Sequence, residues 1–433
     1  MVNKLNKKAI IADDLTGAND CGVNFSEKGF NTTVIFDGNA NTLNKINEEV
    51  LIYDTDSRSL DANKAYNRVY NIGEKLIGLG VPIIQKKIDS TFRGNIGAET
   101  QALIDLGEYD IALIIPGNPS LGRQTINGIH YINNKELAKT EFAVDSYKIN
   151  KTSNIANLLE SQVDERVGVI NTNVLGTNKY KWKEKIDQLI FSGVRYAVCD
   201  VIEERDLRNI VDIINSFKLS ILWVGSSGVT KYLSTTIEGT LVSTKQEVEY
   251  NKPALVVSGT RSAITKKQID YLSEDKDIKN IELPFKKIIN EEKLWLCIKK
   301  DLVTTIKCQL AENHNVVLSI ESINNKAVNE NFKKVSKKIT TRLSDIVKEV
   351  IVDKDISLIL TGGDTAKAIC ESIGGKAIKL SHEIEEGLPI GNLVLRKKNI
   401  PIVTKAGGFG DEYTLSKAID FISGGDKRWT NQL

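Results

Sequence analysis

Short apolar runs rich in β-branched residues alternate along the chain with longer stretches whose apolar positions recur every three to four residues. KKAIIADD leads into a helical stretch, TTVIFD and VLIYDTD follow, and further helical stretches separate VPIIQKKID from YDIALIIPGN. This alternation predicts βαβ units on a mostly parallel sheet, with right-handed crossovers. Ala18, Cys21, Gly22 and Phe25 fall at helical spacing and form one apolar face, and Ala366, Ile369, Cys370 and Ile373 repeat the pattern. After VGVIN, RYAVCDV and SILWVGSSG, the stretch from Leu233 to Lys252 turns polar and loses its periodicity. The chain then restarts with PALVVSGTRSAITKKQIDYL and continues through VVLSI, SLILTGGDTAKAICESIGG and NIPIVTKAGGFGDE. The expected fold is therefore α/β, in two domains each built on a mostly parallel sheet. Domain boundaries are expected at 1–235 and 253–433, with a linker over 236–252 and the active site in the cleft between the domains.

Composition narrows the class. A chain of 433 residues exceeds what one hydrophobic core usually fills. With 41% hydrophobic and 26% charged residues, and no apolar run near the ~20 residues of a membrane span, it reads as a soluble globular protein. The start, MVNKLNKKAI, carries no signal-peptide core, so the cytoplasm is the expected location. Net charge is +2 with lysines and acids interspersed, which argues against a nucleic-acid or membrane footprint and for small-molecule chemistry. The five cysteines lie far apart without a CxxC pair, so neither a disulfide framework nor a zinc site is expected and all five are assigned to the core.

Polar residues collect where predicted strands end. In open parallel sheets, ligands sit beyond the carboxyl ends of the strands, where loop amides and helix N-termini converge. The first strand ends in Asp13 and Asp14, the next in Asp54, Asp56 and Arg58, a third in Lys87, Asp89 and Ser90 with Arg93 beyond, and a fourth in Gly117 and Asn118. Mixed cations and carboxylates on one rim suit a small, hydroxylated, anionic ligand, an arginine clamping its carboxylate and aspartates accepting from its hydroxyls. One aspartate would also act as general base, and Asp13, Asp14 and Asp89 are the candidates. Neighbouring strand residues point in opposite directions, so one of the paired acids is expected to face the ligand while the other caps the following helix.

The second domain carries a different signal. LILTGGDTAKAI reads as a strand, a Gly-Gly turn and a helix opening at Asp364 or Thr365, the arrangement whose free amides attract phosphate. Ser258, Gly259 and Thr260 repeat the plan, and Gly407, Gly408 and Gly410 form a third turn. Three such turns in one domain point to a nucleotide cradle.

GxxxxGK[ST], GxGxxG, the HRD and DFG kinase set and HExxH are all absent, which argues against a P-loop enzyme, a dinucleotide oxidoreductase and a metalloprotease. No metal-ligand set is expected. His130 is read as a structural histidine, with a place in the substrate crevice as the alternative. EEKLWLCIKKDL is read as an amphipathic helix that packs Trp295 and Leu296.

The strings IADDLTGAND, DTDSR, KKIDSTFRGNIGAE and PGNPSLGRQTINGIHYIN, followed by SGT, GGDTA and KAGGFGDE, resemble the four-carbon acid sugar kinases over nearly the whole chain. That resemblance implies an N-terminal substrate domain, a C-terminal nucleotide domain, and ATP-dependent phosphorylation of threonate, erythronate or 3-oxotetronate. It implies that Asp14, Arg58 and the run Lys87, Ile88, Asp89 and Ser90 contact the acid sugar. It also implies that Ser258, the turn Gly362, Gly363, Asp364 and Thr365, and Gly407 contact ATP. NIGAE is closer to the threonate and erythronate kinases, whereas PGNP departs from the apolar-aromatic version in the family.

The resulting expectation is a kinase acting on the 4-hydroxyl of a four-carbon acid. Arg58 with Arg93 would hold the substrate carboxylate, Asp14 or Asp89 would deprotonate the hydroxyl, and Mg²⁺ would bridge the β and γ phosphates. The partners expected are the sugar acid and ATP, with no nucleic acid or membrane and with a homodimer left open. A non-catalytic sugar-acid sensor is the rival from another class, separable by whether ADP is released.

Overall fold

The computed structural model describes residues 7–36, 48–107, 109–143, 152–237, 251–260, 262–284, 292–321 and 332–424. The chain divides into two compact units, Met1–Ser243 and Thr244–Leu433. Most of the expected linker falls outside the described residues.

In the first unit the strands are β1 (Lys8–Ala12), β2 (Thr32–Ile35), β3 (Val50–Asp54), β4 (Ile83–Lys87), β5 (Ile111–Ile115), β6 (Arg123–Ile126), β7 (Ile129–Ile132), β8 (Lys135–Glu136), β9 (Val167–Ile170), β10 (Tyr196–Cys199) and β11 (Ile221–Gly225). The helices are α1 (Leu15–Ser26), α2 (Ala62–Gly78), α3 (Ile96–Ile104), α4 (Ile155–Glu160), α5 (Lys179–Phe191), α6 (Glu204–Asn215) and α7 (Ser227–Thr236). Strands run in the order β2-β3-β1-β4-β11-β5-β10-β9 and every pairing is parallel. A separate antiparallel sheet, β6-β7-β8, is inserted after β5. That insertion is not legible as regular alternation in the sequence.

The second unit contains β12 (Ala254–Ser258), β13 (Ile278–Leu283), β14 (Asn315–Ile320), β15 (Ser357–Thr361), β16 (Ala377–Glu383), β17 (Pro389–Val394) and β18 (Asn399–Lys405). Its helices are α8 (Ala263–Leu272), α9 (Glu292–Ala311), α10 (Phe332–Val350), α11 (Gly363–Ser372) and α12 (Thr414–Ser423). The order is β13-β14-β12-β15-β18-β17-β16, parallel as far as β18 and antiparallel beyond it.

Both units share a topological device. Each unit begins in an interior strand (β1, β12), places the next strand two positions away (β2; β13), fills the gap between them (β3; β14), then crosses to the other side (β4; β15). The point where that direction reverses, beyond the carboxyl ends of the strands, is the place such sheets use for ligands.

The cores follow from the period. In the first unit Leu113, Ile115, Trp182, Ile186, Ile210 and Trp223 belong to one buried cluster. In the second, Val256, Val317, Ile359, Val403, Leu415 and Ile419 do the same. The predicted apolar faces are buried at Ala18, Cys21, Phe25, Ala366, Ile369 and Cys370, with Ile373 half-buried. Two expectations fail on α9. Cys297 and Cys308 are exposed rather than packed, and Leu296 is exposed while Trp295 is buried. Leu296 sits beside Trp295, and successive residues on a helix cannot share one face. Trp295 instead packs against α10, where the Arg342 guanidinium lies 4.5 Å from its ring.

Candidate active site

The strand register of the first unit brings its predicted site residues to one level. Ala12 pairs with Asp54 on one side and with Lys87 on the other, Lys87 pairs with Gly225, and Gly225 pairs with Ile115. The loops leaving β1, β3, β4 and β5 therefore start side by side.

Asp13 and Asp14 leave β1 and meet Arg58 from the loop after β3. Arg58 Nε and Nη2 donate to the two Asp13 oxygens at 2.7 and 3.0 Å, while Nη1 and Nη2 donate to Asp14 at 2.9 and 2.7 Å. One guanidinium thus binds both acids. The two acids differ in setting. Asp13 is 2% exposed, and although burial alone would raise its pKa, Arg58 with Lys86 and Lys87 hold it below the usual carboxylate value. Asp14 is 21% exposed, and burial, helped by the neighbouring Asp13 charge and opposed by Arg58, pushes its pKa up. Asp14 also caps α1, accepting from Gly17 N–H at 3.0 Å. The expected division of labour is therefore corrected: the helix-capping acid is also the more exposed one, and its partner is turned inward to the arginine. Gly17 allows this crowding, since a Cβ there would stand 2.6 Å from Asp14 Oδ1 and 2.9 Å from Lys87 Nζ.

The loop after β4 builds the opposite wall. Asp89 accepts from Arg93 Nε and Nη2 at 2.8 and 2.9 Å and from the Thr91 amide and hydroxyl. Burial would raise its pKa, but Arg93 and then Arg58 hold it well below the carboxylate range. Phe92, buried in the same turn, has φ +59°, a left-handed conformation that bulky residues adopt only when their surroundings impose it. Lys87 Nζ donates to Ile88 O at 2.9 Å, and the Ile88 side chain is buried, so Ile88 offers only backbone to the rim. Ser90 gives its carbonyl to His130.

His130 is fully buried and not a crevice residue. Its Nε2 lies 2.8 Å from Ser90 O and its Nδ1 3.0 Å from Thr125 Oγ1. A carbonyl can only accept, so Nε2 carries the proton and Nδ1 accepts from the threonine. Burial pulls its pKa down to about 4. This histidine ties the β6–β7 hairpin to the loop after β4. Beneath the rim, Lys86 Nζ and Glu99 Oε2 form a fully buried ion pair at 2.7 Å, with burial pushing the Glu99 carboxyl up. Neither residue is legible as functional in IIQKKID or NIGAE.

In the second unit Ser258, Thr361 and Lys405 pair in register at the ends of β12, β15 and β18, so all three glycine turns leave from one level. Gly362 N–H donates to Lys405 O at 2.9 Å. The helix after β15 opens at Gly363, one residue before the predicted start, with Gly362 as N-cap at φ +96°. A side chain is strained there and glycine is not. Thr365 is buried, Asp364 and Gly408 are exposed, Gly363 and Gly407 are half-buried, and Thr265 Oγ1 donates to Gly407 O at 2.6 Å. Lys405, which is not among the expected site residues, also lies at this level. This buried lysine donates to Thr265 Oγ1, Ala406 O and Phe409 O at 3.3, 2.9 and 3.1 Å, and burial lowers its pKa to about 7. Three ammonium protons meet three neutral oxygens, which pins the third turn. The visible signal was a lysine closing an otherwise apolar strand, IPIVTK.

Among the described residues no group of three or more His, Cys, Asp or Glu side chains is placed to hold a metal ion, and no helix is long and apolar enough to cross a membrane.

Residues 8–233 match the sugar-binding N-terminal domain and residues 255–415 the nucleotide-binding C-terminal domain. A D-threonate kinase of Salmonella typhimurium is 27% identical, covering 96% of this chain and 98% of its own. A D-erythronate kinase of Heliobacterium modesticaldum is 25% identical over 95% of this chain and 96% of its own. A solved structure of a Haemophilus influenzae protein, 23% identical, superposes with a TM-score of 0.70 over 95% of this chain and 98% of its own, which establishes the fold. With both domains matched in order, the chain belongs to the four-carbon acid sugar kinase family.

Proposed function

We propose that the chain transfers the γ-phosphoryl group of ATP to the 4-hydroxyl of threonate or erythronate. The observation that supports this most is the asymmetric acid pair on Arg58. Asp14 is partly exposed with a raised pKa, so it is the better base of the pair, while Asp13 stays ionised and fixes the guanidinium. A carboxylate suffices to take the proton, because the attacking oxygen loses electron density before the proton must leave. Asp89, committed to Arg93 and Thr91, is the poorer base and serves to shape the loop that meets the sugar acid.

In the second unit the turn at Ser258–Thr260, the amides of Gly363, Asp364 and Thr365 at the start of α11, and the turn at Gly407 would bind the phosphates, and the positive end of α11 adds to the attraction. Mg²⁺ fits this donor set because it needs few protein ligands beside phosphate oxygens; Asp364, exposed in the first turn of α11, is the acid that would share it, and its charge would offset that of the phosphates. The test is ADP release measured with D- and L-threonate, D- and L-erythronate and 3-oxotetronate. Turnover confined to threonate or erythronate supports the reading, and no turnover with any of them defeats it.

A further inference from the structure

The cations on the rim of the first unit are mostly spent. Arg58 makes four hydrogen bonds to Asp13 and Asp14, Arg93 two side-chain bonds to Asp89, and Lys87 donates to Ile88 O, while beneath the rim Lys86 is paired with Glu99. A guanidinium already saturated by two carboxylates is poorly placed to take a third. Arg123 differs.

It begins β6, where it exchanges backbone hydrogen bonds with Asn118 at 2.9 and 3.0 Å and so sits at the carboxyl end of β5. Its side chain donates from Nη1 to Leu121 O and lies 6.0 Å from the Phe142 ring. Its Nε is shielded from solvent and has no hydrogen-bond partner, and no carboxylate among the described residues lies within ion-pair distance of it. Arg123 and Thr125 alternate onto the same face of the strand. Thr125 bonds His130, whose other nitrogen holds Ser90 O, so the hairpin that carries Arg123 is fastened to the loop carrying Asp89 and Arg93. Burial and the Arg93 charge both oppose the Arg123 cation, and Asp89 favours it. An unneutralised, partly buried, rigidly mounted guanidinium with an idle Nε–H is a site awaiting an anion, and a planar guanidinium matches a carboxylate best.

We propose that Arg123 binds the carboxylate of the acid sugar, and that Arg58 instead holds Asp13 and Asp14 in their reactive arrangement. This rests on the kinase reading above. It makes Arg123 a specificity-determining residue, selecting acids over neutral four-carbon polyols.

The test compares Arg123→Gln, Arg123→Lys and Arg58→Gln with the wild-type enzyme, following ADP release with the preferred acid and with threitol and erythritol. Arg123→Gln should raise KM for the acid by about 30- to 100-fold, the loss expected for a charge-assisted hydrogen bond, while KM for ATP stays unchanged. The preference for acid over polyol should fall by a similar factor, and Arg123→Lys should recover part of it. Arg58→Gln should lower kcat more than it raises KM. A wild-type KM for the acid in both Arg123 variants, or an equal rise in KM for ATP, overturns the assignment. Should wild-type enzyme release ADP with no four-carbon acid, the kinase reading itself fails, and the two failures are told apart by that control.

Discussion

The histidine that fastens the β6–β7 hairpin makes stability depend on pH with a sign and size that can be worked out. His130 is buried with both nitrogens engaged, and burial lowers its pKa from 6.5 to about 4. Below pH 6.5 the unfolded chain takes a proton on this side chain and the folded chain does not. Stability from the neutral imidazole is therefore complete above about pH 6.5 and is lost as pH falls toward 4. With 1.36 kcal/mol per pKa unit, the loss is about 2 kcal/mol at pH 5 and approaches about 3 kcal/mol at pH 4. Other acids titrate in the same range, so the quantity to measure is a difference. His130→Gln keeps an N–H that can reach Ser90 O and removes the titration. Urea unfolding of both proteins from pH 7.5 to 4.5, followed by tryptophan fluorescence, should show the advantage of the wild type over the variant shrinking by about 2 kcal/mol or more. A constant difference across that range, or one that grows toward acid, would refute the argument.

Three further outcomes are expected. Asp14→Asn should cut kcat by roughly 10²- to 10⁴-fold in initial-rate assays; because Asn caps helices as well as Asp, the loss cannot be blamed on α1, and a near-normal rate would move the base to Asp89. Lys86→Met should destabilise the first unit by about 3 to 5 kcal/mol in chemical denaturation by stranding the Glu99 carboxylate, and adding Glu99→Gln should return much of that, whereas additive losses would mean the two side chains do not act as a pair. Gly362→Ala should cost about 1 to 3 kcal/mol because φ there is +96°, and calorimetry should register weaker ATP binding with acid binding intact; unchanged ATP affinity would remove this turn from the nucleotide site.

Much of the fold was legible because a buried parallel strand declares itself as a short apolar run. KKAIIADD, VLIYDTD, IALIIPGN and SLILTGGDTA all became strands with their polar ends on the carboxyl rim. The antiparallel pieces were not legible. Arg123–Glu136 reads RQTINGIHYINNKE, half-buried strands with asparagine and glycine turns, and its apolar alternation is too short to separate from a loop. Helix α11 starts a residue early because Gly362, not an acid, occupies the cap, and residue type alone does not report a φ of +96°.

The site was legible as residue types and illegible as pairings. DTDSR offers an arginine near acids, and nothing local says that Arg58 reaches back across β3 to bind Asp13 and Asp14, some 45 residues earlier in the chain. Pairing decides chemistry here. A guanidinium facing solvent is a carboxylate receptor, while one holding two aspartates is a device that sets which of them can accept a proton. The same reasoning separates the two units. The rim of the first unit is crowded with charged side chains held at fixed angles by each other, an arrangement suited to a small ligand with a few hydroxyls and one charge. The second presents glycine turns, where backbone amides rather than side chains approach, and a buried lysine braces the turn from behind at Ala406 and Phe409. Side chains that recognise a charged ligand are neutralised in its absence, and on this rim Arg58 holds Asp13 and Asp14 while Arg93 holds Asp89. Arg123 has no carboxylate partner among the described residues and its Nε–H is idle, and the proposal that it takes the acid's carboxylate rests on that contrast.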